Sequence, residues 1–173
     1  MIVYLALGSN LGDREQHLCA AIRALPEHGI DILCCASVYS TEPREVLDQP
    51  WFLNTVVQAT TNLSPVDLLT ACLDIERENH RIRDHPKGPR TLDIDILFYG
   101  SEIVRKPGLT IPHPSFSARR FVLAPLAEIA PDFADPLTGE TIRQVLARCA
   151  DKATVTRVSD ARAFCHPSRT VRQ

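Results

Sequence analysis

The 173-residue sequence has no apolar stretch long enough to span a bilayer, since its hydrophobic residues are spread through short runs. The opening segment Met1 to Tyr4 enters an apolar run directly, without the charged start and small-residue cleavage site of a signal peptide. These two absences predict a cytoplasmic protein that does not bind membranes.

A basic excess is also missing. The chain carries 19 Lys and Arg against 21 Asp and Glu, a formal charge of −2, which argues against a general nucleic-acid binder. With 45% hydrophobic and 23% charged residues it has the balance of an ordinary soluble domain. Any basic site for an anionic ligand must therefore be local, and we expect a monomer that takes small-molecule substrates.

Cysteine pairs of the Cys-x-x-Cys type are absent, which removes the main support for a zinc ribbon or a thioredoxin-like site. The six cysteines are scattered and mostly lie in apolar periodic runs of a chain long enough to fold without cross-links. We therefore predict buried thiols rather than disulfides.

Two common catalytic patterns are missing as well. The turn-rich segment Gly8 to Gly12 follows an apolar run but lacks the lysine of a P-loop, so it is better explained as a strand-to-helix turn. No Ser-His-Asp or Cys-His arrangement stands out, and His113 between two prolines is as well suited to bind a phosphate or hydroxyl as to act as a base. Nucleophilic catalysis has no clear candidate.

Periodicity along the chain predicts a strand, a helix, two strands, a helix and a fourth strand, in that order. The segments are strand 2–7, a helix capped by Asp13 and ending near Pro26, strands 31–41 and 52–63, a helix from Ser64-Pro65 to about 80, and strand 91–99. Helices are expected to begin around Ser117 and to cover 141–149. The order is that of an α+β protein with a ferredoxin-like βαββαβ core, an antiparallel sheet and additional C-terminal helices, in three α-β-α layers. We predict one domain, 1–158, and a flexible C-terminal tail, 159–173.

Two aspartates interrupt the apolar pattern of the fourth strand. Strand side chains alternate between faces, so Asp93 and Asp95 project from the same side while Ile94 points the other way. Two carboxylates in one small volume are costly unless a cation neutralises them. Magnesium prefers one or two protein carboxylates together with water and substrate phosphates. The alternative is one solvated edge residue and one ordinary ion pair with a nearby arginine.

Basic residues are dense just before this strand and again some twenty residues after it. Guanidinium groups bind phosphates in bidentate fashion, so arginines converging on a magnesium pair suit a nucleoside triphosphate. Without the aspartates, a solvated charged loop would be the simpler explanation. The residues are Arg81, Arg83, Lys87 and Arg90, followed by Arg119 and Arg120.

Aromatic residues make up only 6% of the chain, and two stand near polar candidates. Phe52 and the amide Asn54 lie where the long connection returns to a strand, and Phe121 follows the second arginine pair. Aromatic faces can stack on a planar heterocycle while an amide pairs with its edge. Core packing is the alternative for both aromatics.

The segment Gly88 to Leu97, GPRTLDIDIL, resembles the signature of the 6-hydroxymethyl-7,8-dihydropterin pyrophosphokinase family of folate biosynthesis. Further matches cover about residues 1 to 150 in the family's order: LGSNLGD at 7–13, YSTEP at 39–43, DQPWFLN at 48–54, LTIPHP at 109–114 and RRFVL at 119–123.

The resemblance implies an enzyme that transfers pyrophosphate from ATP to the hydroxymethyl group of the pterin and releases AMP. Asp93 and Asp95 would hold two Mg²⁺ ions. Residues implied in catalysis are Arg81, Arg83, Arg90 and Asp95. The ATP site would comprise Glu76, Arg83, Arg90, Ile96, Thr110, His113 and Arg119. The pterin site would comprise Gly8, Thr41, Pro43, Phe52, Asn54 and Phe121.

The sequence departs from the family pattern at Pro86-Lys87, Gly108 and Arg44, which bears on loop closure and turnover more than on substrate class. Two other functions are compatible with parts of the pattern. The same nucleotide site could serve another acceptor, which Phe52, Asn54 and Phe121 argue against. A ferredoxin-like RNA-binding module would need exposed aromatic and basic residues on the sheet face instead of paired aspartates.

Overall fold

The computed structural model describes residues 1–43, 48–81 and 89–160. Its helices are α1 Arg14–Glu27, α2 Pro65–Glu78, α3 Arg120–Ile129 and α4 Ile142–Arg148. Its strands are β1 Ile2–Ser9, β2 Ile30–Cys35, β3 Val38–Thr41, β4 Phe52–Thr61, β5 Asp93–Tyr99, β6 Val104–Lys106, β7 Leu109–Ile111 and β8 Val155–Ser159.

The main sheet has six strands in the order β5-β1-β4-β3-β8, and β2 also pairs with β4, beside β3. Every pairing in this sheet is antiparallel. Strands β1 and β4 run side by side along their full lengths, from Ile2 opposite Thr60 to Ser9 opposite Leu53. This is the predicted ferredoxin-like arrangement, and the α+β class is confirmed.

Helices cover both faces of the sheet. One core cluster joins α1 and α2 to one face through residues such as Leu18, Leu25 and Ile75. A second cluster joins α3 and α4 to the other face, with Leu123 and Val145 fully buried. Burying each such side chain contributes about 1.5–3 kcal/mol, so the two clusters hold the three layers together.

Local sequence signals explain where the helices begin. The carboxylate of Asp13 accepts a hydrogen bond from Gln16 N at 3.0 Å, and the hydroxyl of Ser64 accepts one from Asp67 N at 3.3 Å. Thr141 and Gln144 form a reciprocal capping box at the start of α4. The predicted helix near Ser117 is a short 3₁₀ turn, Phe116–Ala118, followed by α3.

The predicted strand 31–41 is two strands. At Ser37 the backbone N–H leaves the ladder and donates to the Glu128 carboxylate on α3, at 3.2 Å from each oxygen. The strand is therefore interrupted between β2 and β3, although both segments pair with β4.

The prediction that the cysteines are buried thiols is wrong at three of the described positions. Cys35 is disulfide-bonded, and Cys19 and Cys34 are only partly buried. Cys72 and Cys149 are buried free thiols, as predicted. A chain long enough to fold without cross-links can still form one, since pairing depends on which residues meet in space.

Among the described residues, no helix is long and apolar enough to cross a membrane. Strand β8 ends at Ser159, one residue past the predicted domain boundary. The tail from 161 onward lies outside the described residues, as do Arg44, Arg83, Pro86, Lys87 and Gly88.

Candidate active site

Strand β5 presents two aspartates on one face of the sheet. Ile94 and Ile96 point into the core shared with α1 and α2, so Asp93 and Asp95 project from the opposite face. Their side chains are 23% and 35% exposed. The apolar alternation of the strand thus fixes both carboxylates at the wall of an open cleft.

Two arginines from the preceding loop bind Asp93. Arg81 Nη1 lies 2.5 Å from Asp93 Oδ1, and Arg90 Nη1 lies 3.0 Å from Asp93 Oδ2. The loop arginines and the strand carboxylate are therefore brought together as predicted. In this form the positive charges that suit phosphates neutralise the carboxylate instead.

Glu76 on α2 links this cluster to the strand. Its carboxylate is 3% exposed, accepts the backbone N–H of Ile94 at 2.8 Å and forms an ion pair with Arg81. A buried carboxylate needs such partners, because unpaired burial of a charge is costly. Glu76 thus holds Arg81 at the Asp93 end of the cleft.

Asp95 has looser partners than Asp93. His113 Nε2 and Arg119 Nη1 lie 3.9 and 3.8 Å from Asp95 Oδ2. Burial raises the pKa of Asp95, the Asp93 carboxylate raises it further, and His113, Arg119 and Arg90 oppose the rise. Asp95 is therefore the carboxylate of the pair that gains most from a bound cation.

His113 is held by its own loop. Ser115 N donates to His113 Nδ1 at 3.2 Å, which assigns the proton of the neutral ring to Nε2, the atom that faces Asp95. Burial lowers the pKa of His113, while the Asp95 carboxylate acts in the opposite direction. The ring is thus poised as a neutral donor toward the aspartate end of the cleft.

A polar pair stands at the other end of the cleft. Asn54 Nδ2 donates to Thr41 Oγ1 at 2.6 Å, which joins β4 to β3. Gly8 lies opposite Asn54 on β1, and a Cβ at residue 8 would come within 2.6 Å of Asn54 Oδ1. The glycine therefore allows the amide to occupy its position against the strand.

An arginine guanidinium lies over the ring of each candidate stacking residue. Arg90 Cζ lies 5.6 Å from the centroid of the Phe52 ring, and Arg119 Cζ lies 5.8 Å from that of Phe121. Both distances fit cation–π contacts. Each arginine thus bridges an aromatic face and an aspartate.

These groups line a single cleft of about 450 Å³, a size typical of small-molecule sites. Of the predicted site residues, the cleft brings together Gly8, Thr41, Pro43, Phe52, Asn54, Glu76, Arg81, Arg90, Asp93, Asp95, His113, Arg119 and Phe121. Ile96 lies instead in the core beneath the strand, and Thr110 is exposed on β7. Arg83 lies outside the described residues.

Asn10 lies in the turn-rich segment after β1, and its side chain links the two loops that border the cleft. Its side chain is 1% exposed, accepts from Arg90 N at 2.8 Å and donates to Gln49 Oε1 and Pro50 O at 3.0 and 3.1 Å. Asn10 N also donates to Arg90 O at 3.1 Å. The sequence signal for this role was a short amide directly after a buried strand, but its partners lie far away in sequence.

The donor set fits magnesium better than zinc. Within residues 1–43, 48–81 and 89–160, no group of three or more His, Cys, Asp and Glu side chains is placed to hold a metal. Magnesium needs only one or two protein carboxylates, with water and substrate oxygens completing its shell. Burial raises the pKa of Asp95 and the neighbouring Asp93 carboxylate raises it further, and a cation bound to both carboxylates would relieve their repulsion.

Comparison with known proteins agrees with this geometry. Residues 4–131 match the family model described as 7,8-dihydro-6-hydroxymethylpterin-pyrophosphokinase (HPPK). The chain belongs to the HPPK family. A 2-amino-4-hydroxy-6-hydroxymethyldihydropteridine pyrophosphokinase of Pseudomonas aeruginosa is 44% identical over 150 residues, which cover 85% of this chain and 91% of that protein.

Longer proteins contain a similar HPPK segment. The folic acid synthesis protein fol1 of Schizosaccharomyces pombe is 41% identical over 84% of this chain, but the match spans only 20% of fol1. A crystal structure of Plasmodium falciparum HPPK-DHPS with pteroate matches with a TM-score of 0.71 at 15% identity, over 85% of this chain and 44% of that one. This last likeness supports the fold alone.

Proposed function

We propose that this HPPK-family chain transfers pyrophosphate from ATP to the hydroxymethyl group of 6-hydroxymethyl-7,8-dihydropterin, releasing AMP, in folate biosynthesis. The observation that carries the proposal is one cleft with paired aspartates and converging arginines at one end and Phe52, Asn54 and Phe121 at the other. Such a cleft offers phosphate contacts and a stacking site within one reaction volume.

At the acceptor end, the pterin ring would stack between Phe52 and Phe121, and Asn54 would pair with its edge. Stacking on two aromatic faces fits a flat heterocycle, while the amide supplies both a donor and an acceptor. Gly8, Thr41 and Pro43 would complete this pocket. Because Arg90 and Arg119 now lie over the two rings, they must move for the pterin to stack.

At the donor end, Arg81, Arg90, Arg119 and His113 would contact the phosphates of ATP. The three guanidiniums pair with Asp93 and Asp95 in this form, so phosphate oxygens would replace carboxylates as their partners. Glu76, Ile96 and Thr110 are proposed for the nucleotide pocket and Arg83 for the phosphates. Ile96, which lies in the core under β5, would support this pocket by packing beneath it.

Asp93 and Asp95 would hold two Mg²⁺ ions, which would neutralise the charge on the transferred group. The hydroxymethyl oxygen would attack the β-phosphorus of ATP as the bond from that phosphorus to the oxygen of AMP breaks. Its proton would pass to the Asp95 carboxylate. The protein's share of catalysis is then mainly positioning and electrostatic stabilisation.

We also propose a monomeric state, a cytoplasmic location and a single pyrophosphokinase domain spanning residues 1–158.

Incubation with ATP, Mg²⁺ and 6-hydroxymethyl-7,8-dihydropterin tests the reaction by measuring AMP. We expect AMP and the pterin diphosphate to form in equal amounts, and neither to form when pterin is omitted or Mg²⁺ is chelated. The matched control is a pterin acceptor that carries a bulky group on the ring face that would stack on Phe52 or Phe121. ATP consumption at the same rate with and without pterin would refute the proposal.

A further inference from the structure

Strand β8 lies outside the part of the chain that matches the family model, which ends at residue 131. It forms the edge of the main sheet by pairing antiparallel with β3, with Thr41 opposite Val155. Thr41 is the residue that receives the Asn54 amide in the proposed pterin pocket. The C-terminal strand therefore borders the wall of that pocket.

Two hydrogen bonds join the start of β8 to the rim of the cleft. Glu42 N donates to Thr154 O at 3.2 Å, and Thr154 N donates to Glu42 Oε2 at 2.8 Å. Glu42 lines the cleft between Thr41 and Pro43. Both the backbone and the carboxylate of this rim residue are thus bound to Thr154, the residue directly before β8.

The middle of β8 is anchored as well. Arg157 Nε donates to Ser37 Oγ at 2.8 Å, and Ser37 Oγ donates to Glu128 Oε1 at 2.7 Å. Tyr39 OH donates to Glu128 Oε2 at 2.8 Å. These bonds fix β8 and β3 to α3, so β8 cannot slide along β3 without breaking side-chain contacts at Ser37 and Glu42.

We propose that β8 positions the acceptor pocket, acting through the bond between the Thr154 amide and the Glu42 carboxylate. The bond holds Thr41, and through it the Asn54 amide, in the orientation that receives the pterin edge. The arginines of the nucleotide end pair instead with Glu76, Asp93 and Asp95 on α2 and β5. This inference rests on the proposed function and predicts that disturbing β8 weakens pterin binding selectively.

Thr154→Pro tests the proposal because it removes the amide donor, and Thr154→Ala is the matched control because it keeps that donor. Thr154 is exposed, so its side chain packs little. We expect Thr154→Pro to raise KM for pterin about five-fold or more while KM for ATP changes by less than about two-fold. Thr154→Ala should behave as the unchanged protein does.

Glu42 provides the second arm. Glu42→Ala should raise KM for pterin in the same way. Glu42→Gln should restore most of the pterin affinity, because glutamine keeps an acceptor oxygen. The KM for pterin of Glu42→Ala combined with Thr154→Pro should be no higher than that of either single variant. Additive losses would instead mean that Glu42 contacts substrate directly, which overturns the proposal.

If Thr154→Pro does not fold, amide hydrogen exchange of residues 38–42 in Glu42→Ala decides the matter. Faster exchange together with raised pterin KM supports the inference, and raised KM without faster exchange overturns it. Unchanged pterin KM in a folded Thr154→Pro protein, or equal loss for ATP, also overturns it. Absence of pterin-dependent AMP release in the unchanged protein refutes the proposed function, and this inference with it.

Discussion

Arg90 contacts Phe52 and Asp93 at once, with its Cζ 5.6 Å from the ring centroid and its Nη1 3.0 Å from Asp93 Oδ2. The same side chain therefore covers a proposed pterin-stacking face and neutralises a proposed metal ligand. Its backbone is fixed by Asn10, so the guanidinium can change partners while the loop stays in place. Substrate binding would exchange these contacts for a phosphate contact.

Replacing Arg90 with lysine tests whether the planar guanidinium is needed. Lysine keeps the charge but loses the fork that binds two phosphate oxygens. We expect kcat/KM for ATP to fall about thirty-fold, corresponding to one charge-assisted hydrogen bond lost. Steady-state kinetics with varied ATP measure the effect. Arg14→Lys is the control, since Arg14 binds Trp51 O outside the cleft; a similar loss there would contradict a specific role for Arg90.

Asp95→Asn is expected to abolish most activity and to stabilise the free protein near neutral pH. Burial raises the pKa of Asp95 in the folded state above its unfolded value, so the folded chain binds this proton more tightly. Stability from this group is present at pH below the unfolded pKa and is lost as pH rises through the folded pKa. Asparagine cannot ionise, so the variant does not lose this stability as the pH rises. Activity should fall at least about 100-fold, because Asp95 is both a proposed metal ligand and the proposed proton acceptor.

Thermal unfolding of the metal-free protein between pH 4 and 8 measures the stability effect, and Asp93→Asn is the matched control. Asp93 binds Arg81 and Arg90 at 2.5 and 3.0 Å, so its neutralisation removes one charged partner from each of two guanidiniums, although Arg81 keeps Glu76, and should lower Tm. Each 1 kcal/mol corresponds to about 3 °C in a domain of this size. Equal Tm changes of the same sign in both variants would contradict the assignment.

Gly8→Ala separates the two ends of the cleft. A Cβ at this position would lie 2.6 Å from Asn54 Oδ1, so the amide must shift away from its bond with Thr41. We expect pterin binding to weaken by about 1–3 kcal/mol, the usual cost of overpacking, while Mg-ATP binding persists. Calorimetric titration with each ligand measures this, and loss of ATP binding to the same extent would show that the two sites are not separable.

The sequence predicted those parts of the fold and site whose signals come from neighbouring residues, and it missed those that depend on distant partners. Alternation along β5 was enough to place Asp93 and Asp95 together, and Ser64-Pro65 was enough to start α2. Strand β8 and the β6–β7 hairpin were not predicted, because three to five residues carry little periodic signal and their pairing depends on distant partners. The role of Asn10 was missed for the same reason, since its partners Gln49 and Arg90 are 39 and 80 residues away.

Asn10→Ala tests whether that buried amide couples the two ends of the cleft. The substitution leaves Arg90 N and Pro50 O without their partner, which should cost about 2–3 kcal/mol of unfolding free energy. Because the amide joins the loop before Phe52 to the loop bearing Arg90, KM should rise for both substrates, unlike the selective effect expected of Gly8→Ala. Trp51, the only tryptophan, lies beside Pro50 and should report the loosened loop by a change in its fluorescence. Arg14→Ala, which frees Trp51 O alone, is the control: if it raises both KM values as much as Asn10→Ala does, general loosening of the loop explains the effect and Asn10 has no coupling role.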